Sequence, residues 1–204
     1  PPTQQKPSGC LIATAAFGSE LSPQVQFLRN FRDNMILSTA SGSSFMNVFN
    51  AWYYSFSPNV ADYERNNPWL QQVVKASIYP LLGILALSEK AYGIFNGEYG
   101  AIIAGLTASS MIGAVYFLPF TLAIRRVRDH KFSLPVVLVV FGAAIVSVLL
   151  GTVSNSTYLL MISTTLLVLS TLVLSALLSA RIFYKYIIQR IRRISSSRFM
   201  LFKQ

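Results

Sequence analysis

The feature that most constrains this chain is a run without a charged residue, from position 132 to position 180. One helical crossing of a bilayer needs about 20 apolar residues, so the run is long enough for two. The polar segment at 151–157 divides it into two parts of spanning length. The sequence therefore predicts a hairpin of two membrane-spanning helices, at about residues 132–152 and 158–180.

Two segments further upstream are also apolar. Residues 101–124 lack charges and predict a third span. Residues 76–88 are uncharged but shorter, and they contain Pro80, so this region is either an interfacial or re-entrant segment or an additional span. The predicted fold class is an all-α, polytopic helical membrane protein. Its predicted parts are a helical module at 1–75, the undecided segment at 76–97, three spans within 98–180 and a basic amphipathic tail at 181–204.

Charge and hydropathy favour a membrane over a nucleic acid as the partner of this basic chain. The sequence is 53% hydrophobic and 12% charged, with a formal net charge of +10. Basic residues cluster after the predicted spans at 101–124 and at 158–180. By the positive-inside rule, this makes the C-terminus cytoplasmic. The tail residues expected to meet lipid headgroups are Arg181, Lys185, Arg190, Arg192 and Arg193. We expect a multi-pass protein of the cell membrane.

The side of residues 1–75 depends on the undecided segment. Three spans place these residues outside the cytoplasm, which is the interpretation we favour, and four spans place them inside. The loop between the last two spans carries Asn155-Ser156-Thr157, which fits an N-glycosylation triplet and is predicted to face outwards.

The N-terminal module carries three helix-start signals and an aromatic stripe. Serine or asparagine precedes proline at Ser22-Pro23, Ser57-Pro58 and Asn67-Pro68, a pattern typical of a capped first turn. Aromatic residues at helical spacing, with Trp69 beyond them, predict a face packed on neighbouring helices or lying in the membrane interface: Phe45, Phe49, Trp52, Tyr53 and Phe56. No basic residue interleaves with this stripe, which argues against nucleic acid.

Four segments of the module resemble the CFI-box family of bacteria and archaea. They are the run from Cys10 to Ser19, the run Leu-Arg-Asn-Phe-Arg-Asp at 28–33, the pair Tyr53-Tyr54 and the pair Ser57-Pro58. The likeness covers about residues 9–88, with Leu11 and Phe17 departing from the family pattern. The sequence at 54–58 is similar to that of membrane-anchored members of the family, which are typical of ammonia-oxidising archaea.

The resemblance implies a small helical module without enzymatic activity, with a cysteine that is processed, used in sorting or attached to lipid. Cys10 is the residue that would carry such a modification. The alternative is that Cys10 is an unmodified, buried thiol. The likeness also suggests an accessory subunit of the archaeal ammonia monooxygenase, a copper membrane enzyme.

The spans themselves predict packing and no chemistry. None of the three predicted spans contains a charged residue, which disfavours a pump. One cysteine and one histidine are too few for a metal site, so we expect no cofactor other than structural lipids. Small residues four apart favour close helix contacts: Ala101, Gly105, Ser109 and Gly113, then Ala143, Ser147 and Gly151.

These features together favour a nonenzymatic subunit that contacts lipids and other integral membrane subunits. The alternatives are a membrane anchor or sorting protein modified at Cys10 and a transporter or channel component.

Overall fold

The structure is a computed structural model that describes the backbone of residues 9–123 and 133–201 and the side chains of residues 9–121 and 134–186. The described backbone is 90% helical and contains no strand, which confirms the all-α prediction. The helices are α1 (Leu11–Phe17), α2 (Pro23–Asn30), which continues into a π-helical turn (Phe31–Ile36), α3 (Ala40–Arg65), α4 (Pro68–Phe95), α5 (Gly97–Tyr116), α6 (Leu118–Ala123), α7 (Ser133–Ser154) and α8 (Thr157–Leu201).

Two of the three predicted helix starts are correct. Helix α2 begins at Pro23 after Ser22, and α4 begins at Pro68 after Asn67. The prediction at Ser57-Pro58 is wrong, because both residues lie inside the 26-residue helix α3. Proline removes one backbone donor from a helix interior. Here Ser57 is fully buried against the rest of the module while Pro58 is exposed, and packing on both sides of the proline keeps the helix continuous.

Four helices are long and apolar enough to cross a membrane: Pro68–Phe95, Gly97–Tyr116, Leu134–Ser154 and Thr157–Tyr186. The segment left undecided by its sequence belongs to the first of these helices. It continues through Pro80 as part of a 28-residue α-helix, so its length meets the requirement for an additional span.

The first predicted span, 101–124, is not one continuous helix. Helix α5 ends at Tyr116, and the short α6 begins at Leu118. Pro119 explains the break, since it lacks an N–H and its ring would clash with the carbonyl four residues before it. Residue 124 lies outside the described residues.

Two asparagines make the turns of the two helical hairpins. Asn96 between α4 and α5 has φ of 50°, and Asn155 between α7 and α8 has φ of 51°. Both φ values are positive, which asparagine adopts more readily than most side chains, although the ψ of 168° at Asn96 lies outside the left-handed α region. Helices α5 and α8 run in the same direction, because Ile102 packs near Leu167 while Gly113 meets Leu172. Both asparagine turns therefore lie at one end of the bundle, which we call the turn end.

Helix α3 runs antiparallel to α4 and meets it directly at few positions, because α1 lies between them. At about 1.5 Å per residue, the 26 residues of α3 extend about 39 Å and the 28 residues of α4 about 42 Å. The start of α3 contacts Glu98 at the turn end, and its last residue is joined to α4 by a two-residue turn at the opposite end. Helix α3 also packs against α8 and α5. It therefore occupies the same depth as the candidate spans.

Helix α1 fills the space between α3 and α4. Its alanines Ala13, Ala15 and Ala16 are buried, and they let the neighbouring backbones approach closely. Ala13 and Ala16 pack against Ile78 of α4, and the side chain of Gln71 donates to the carbonyl of Ala15 over 2.9 Å. The small residues of the first motif thus act as a spacer between two long helices.

Candidate functional site

The four motif segments of the module converge at the start of α1. The backbone N–H of Ile12 donates to the hydroxyl of Tyr53 over 3.2 Å. Gly9 lies so close to the guanidinium of Arg32 and the hydroxyl of Tyr54 that an added Cβ would overlap the first and stand 2.8 Å from the second. Residues far apart in sequence thus form one cluster around Cys10, which we call the Cys10 cluster.

The thiol of Cys10 is not activated as a nucleophile in this cluster. Burial raises its pKa above the ordinary value of 9.0, and the positive charges of Arg32 and Arg29 oppose this only in part. A thiol must lose its proton to attack or to bind a metal, so the neutral form prevails near pH 7. Cys10 also has φ of 92°, a conformation that few side chains other than glycine adopt.

The phenol of Tyr53 fixes the position of α1 on α3. Burial raises its pKa, which the hydrogen bond from Ile12 and the neighbouring Ser57 hydroxyl partly offset. The ring also stacks on Phe49 at 5.7 Å with an interplanar angle of 12°. Tyr53 is thus held by one polar contact and by ring packing, as a structural anchor is.

Two ion pairs flank the Cys10 cluster. Arg29 pairs with Glu20 at 3.0 Å, and Arg32 pairs with Asp33 at 2.6 Å. The arginine side chains are largely covered, at 17% and 22% exposed, whereas the two acidic side chains are about half exposed, at 53% and 47%. The carboxylates therefore form part of the outer surface of the module.

This charged surface lies between the ends of the neighbouring long helices. Arg32 contacts the region of Tyr54, near the middle of α3, and Val25 of α2 packs against Ile78, near the middle of α4. Asn47 and Ser55 of α3 are exposed as well, with the exposed ring of Trp52 between them in sequence. The bundle therefore carries a polar lateral surface at the depth of its candidate spans.

Helix α7 presents the opposite kind of surface. Its exposed side chains are apolar: Val136, Leu138, Val139, Val146, Leu149, Leu150 and Val153. The hydropathy of its span is 2.7, against 1.4 for those of α4 and α5. The two lateral surfaces of the chain thus suit two different surroundings.

The predicted aromatic stripe forms a continuous run of ring contacts on α3. Phe45 stacks on Phe49 at 5.9 Å, and Trp52 meets Phe56 edge to face at 4.9 Å. Trp52 nevertheless remains 62% exposed, and Trp69 on α4 is 63% exposed without a ring partner among the described contacts. The stripe is therefore packed along one edge and open along the other.

The predicted small-residue row on α5 meets α8. Ala101 and Ser109 are buried, Gly105 is partly buried, and a Cβ on Gly113 would overlap the backbone carbonyl of Leu172. Gly105, however, has open space where a Cβ would stand, and its neighbour Ala104 is fully buried, so the predicted row follows the contact face at Ala101, Ser109 and Gly113 only.

The row predicted on α7 is partly wrong. Ala143 is exposed, and its neighbour Ala144 is fully buried instead, together with Val148. Ser147 is half-buried, and Gly151 packs on Leu160. The face that contacts α8 is therefore rotated by one residue from the predicted row, because alanine and valine side chains make the contact.

The basic tail continues the last span without a break, since α8 extends to Leu201. Tyr158 at one end of the candidate span is 82% exposed, and Tyr186 at the other is 59% exposed. They stand about 42 Å apart along the helix, close to the thickness of a bilayer with its headgroups. Lys185 is exposed at the second end, whereas the side chains of Arg190, Arg192 and Arg193 lie outside the described residues.

Asn155 occupies an exposed turn, where its side chain is accessible. Arg181 lies near the opposite end of the candidate span Thr157–Tyr186 that follows this turn. These positions agree in placing the glycosylation triplet and the basic tail at opposite ends of the bundle.

Two acidic residues matter here that sequence reasoning missed. Glu98 accepts hydrogen bonds from the backbone of Ala40 and Ser41 and, over 2.6 Å, from the hydroxyl of Ser41. Glu64 on α3 is fully buried. Helical periodicity gave a signal for Glu64, since it lies one helical turn beyond Ala61 and two beyond Ser57, but acidic residues are rarely placed in a core.

The described residues contain no group of three or more histidine, cysteine, aspartate or glutamate side chains that could hold a metal ion. An apolar groove of about 410 Å³ runs between Val48 of α3 and α8, where Met161 and Leu166 are among its lining residues. The side chains that line the groove offer apolar contacts to a bound group.

The fold and its surfaces define an all-α polytopic protein, whose four long apolar helices are compatible with a multi-pass membrane protein in contact with lipid. No protein-family model, curated protein sequence or solved structure matches this chain.

Proposed function

We propose that this chain is a nonenzymatic accessory subunit of a membrane protein complex. The observation that carries the proposal is the polar lateral surface of α2 and α3, which lies at the depth of the candidate spans. Insertion scales place the cost of one charged side chain at the bilayer centre at about 3 kcal/mol. Exposed Glu20 and Asp33, although each is paired with an arginine, would meet part of that cost in lipid, and a protein that covers them with polar groups would lower it.

The apolar surface of α7 supports the same proposal from the other side. Its exposed valines and leucines suit acyl chains, so the chain would face lipid with α7 and a partner subunit with α3. Under this proposal the basic end near Lys185 is cytoplasmic and the Asn155 turn is outside. The side of the membrane that residues 1–75 occupy stays a separate prediction.

Photo-crosslinking in native membranes tests the proposal. A photoreactive amino acid at Asn47 or Ser55 of α3 is expected to give protein adducts, and the same group at Val139 or Val146 of α7 is expected to give lipid adducts. Mass spectrometry of the α3 adducts would identify the partner. Lipid adducts alone from the α3 positions, with migration of the chain as a monomer on native gels, would contradict the proposal.

The complex that we propose to examine first is the archaeal ammonia monooxygenase. This choice rests only on the resemblance of the module to proteins of ammonia-oxidising archaea. Purification of that complex with this chain absent from its subunits would reject the choice and leave the broader proposal to the crosslinking result.

A further inference from the structure

Glu64 is an ionisable residue of α3 without exposed surface. Its side chain is fully buried, and within the described residues neither carboxyl oxygen has a hydrogen-bond partner. An ionised carboxylate without hydrogen bonds in such a place is costly, whereas a protonated one loses much less on leaving water. The geometry thus favours the neutral acid.

The neighbouring charges do not compensate a negative Glu64. Arg65 on the same helix pairs with Asp62 at 2.5 Å, and Lys75 on α4 lies 6.0 Å above the ring of Phe17. Helix α1, which fills the space between α3 and α4, has no ionisable side chain from Leu11 to Phe17. Neither cation forms an ion pair with Glu64 within the described contacts.

The electrostatic balance agrees with this geometry. Burial raises the pKa of Glu64 above its ordinary value of 4.5, and the positive charges of Arg65 and Lys75 oppose that rise without reversing it.

We propose that Glu64 is a proton-binding site that holds the end of α3 against α1 and α4 while its carboxyl group is neutral. Loss of the proton places an uncompensated negative charge between these helices, and the end of α3 must then open to let water reach it. The hairpin formed by α3 and α4 thereby loses stability as the pH rises above the ordinary carboxyl value of 4.5.

The direction of the pH dependence follows from proton linkage. A glutamate whose pKa is higher in the folded chain binds its proton more tightly when folded, so the stabilisation is complete below the unfolded value of 4.5. It is lost as the pH rises towards the folded value. For each pH unit in that interval, the equilibrium constant for unfolding rises about tenfold.

The test uses the full chain in mild detergent, with Glu64→Gln as the neutral mimic and Glu89→Gln as the control at an exposed position. Infrared difference spectra recorded while the pH rises from 4.5 should show, in the wild type, the carbonyl stretch of one carboxyl group that keeps its proton after the exposed carboxyls have lost theirs. This late band should be absent from Glu64→Gln and retained in Glu89→Gln. Unfolding followed by fluorescence of Trp52 and Trp69 should lose its pH dependence above 4.5 in Glu64→Gln alone.

Each outcome decides the proposal. If Glu64→Gln does not fold, a late wild-type band that disappears reversibly on raising the pH still supports it. A wild type in which no carboxyl band outlasts those of the exposed carboxyls, or a Glu64→Gln variant that keeps the late band and the full pH dependence, would overturn it.

Discussion

The carboxylate of Glu98 is expected to hold the start of α3 on the membrane bundle, and its replacement should open that start. Three donors converge on this one side chain: the N–H groups of Ala40 and Ser41, the latter at 3.1 Å, and the hydroxyl of Ser41. The first N–H groups of a helix have no partner within it, so an acidic residue from α5 satisfies what the sequence of α3 leaves open. The carboxylate also interacts favourably with the positive end of the helix dipole.

The expected magnitude follows from these contacts. One hydrogen bond to a charged group contributes about 1.5–3 kcal/mol, and the dipole adds about 0.3–1 kcal/mol. Glu98 is partly exposed, and the glutamine oxygen of Glu98→Gln retains one acceptor, so we expect a loss of about 2 kcal/mol rather than the sum. Local opening of the first turn should then become about 30-fold more frequent.

Hydrogen exchange measured by mass spectrometry is the assay, on peptides that cover residues 40–48. Glu98→Gln should speed exchange there about 30-fold and leave the peptides of α7 unchanged. Thr39→Ala is the matched comparison, since the Thr39 hydroxyl accepts from the N–H of Gly42 at 3.1 Å and its loss should cost about 1 kcal/mol. Wild-type protection at residues 40–48 that survives Glu98→Ala would refute the reasoning.

Three further predictions concern packing, the thiol and the orientation of the chain. Gly113→Ala should destabilise the bundle by about 1–3 kcal/mol, because the new Cβ overlaps a backbone carbonyl of α8. Gly105→Ala has open space for its Cβ and should be neutral or stabilising. Equal melting temperatures for the two variants would contradict the contact at Gly113. Cys10 should react slowly with maleimide near pH 7 and faster only as the pH rises above the ordinary thiol value of 9.0, and rapid labelling at neutral pH would contradict its burial. In a Cys10→Ser background, an impermeant maleimide should label Ser154→Cys in intact cells and Lys185→Cys only after permeabilisation, with the opposite pattern reversing the proposed orientation.

Much of the membrane architecture could be predicted from local patterns. The uncharged run at 132–180 and its polar interruption predicted a helical hairpin, and the helices Ser133–Ser154 and Thr157–Leu201 form one. Proline after a capping residue correctly predicted where α2 and α4 begin. These signals are readable because bilayer length and the missing proline N–H act within one segment, whatever the rest of the chain does.

The predictions from sequence were wrong where contacts between separate segments determine the structure. Ser57-Pro58 carries the same local signal as Asn67-Pro68, yet packing of buried Ser57 keeps α3 intact through the proline. Ala143 has the small side chain that favours helix contact, but the orientation of α7 on α8 buries Ala144 instead. A local pattern gives the period of a helix and leaves its rotation against a neighbour undetermined.

The sequence by itself determined that this chain is a set of long apolar helices with a basic tail, because hydropathy and charge are properties of consecutive residues. Only the tertiary structure decided that α3 runs antiparallel to α4, that Glu98 caps it from another helix and that Glu64 is enclosed without a hydrogen-bond partner among the described residues. Those facts depend on groups more than ten positions apart in the chain, which meet only when the helices pack, and on the water that the packing excludes.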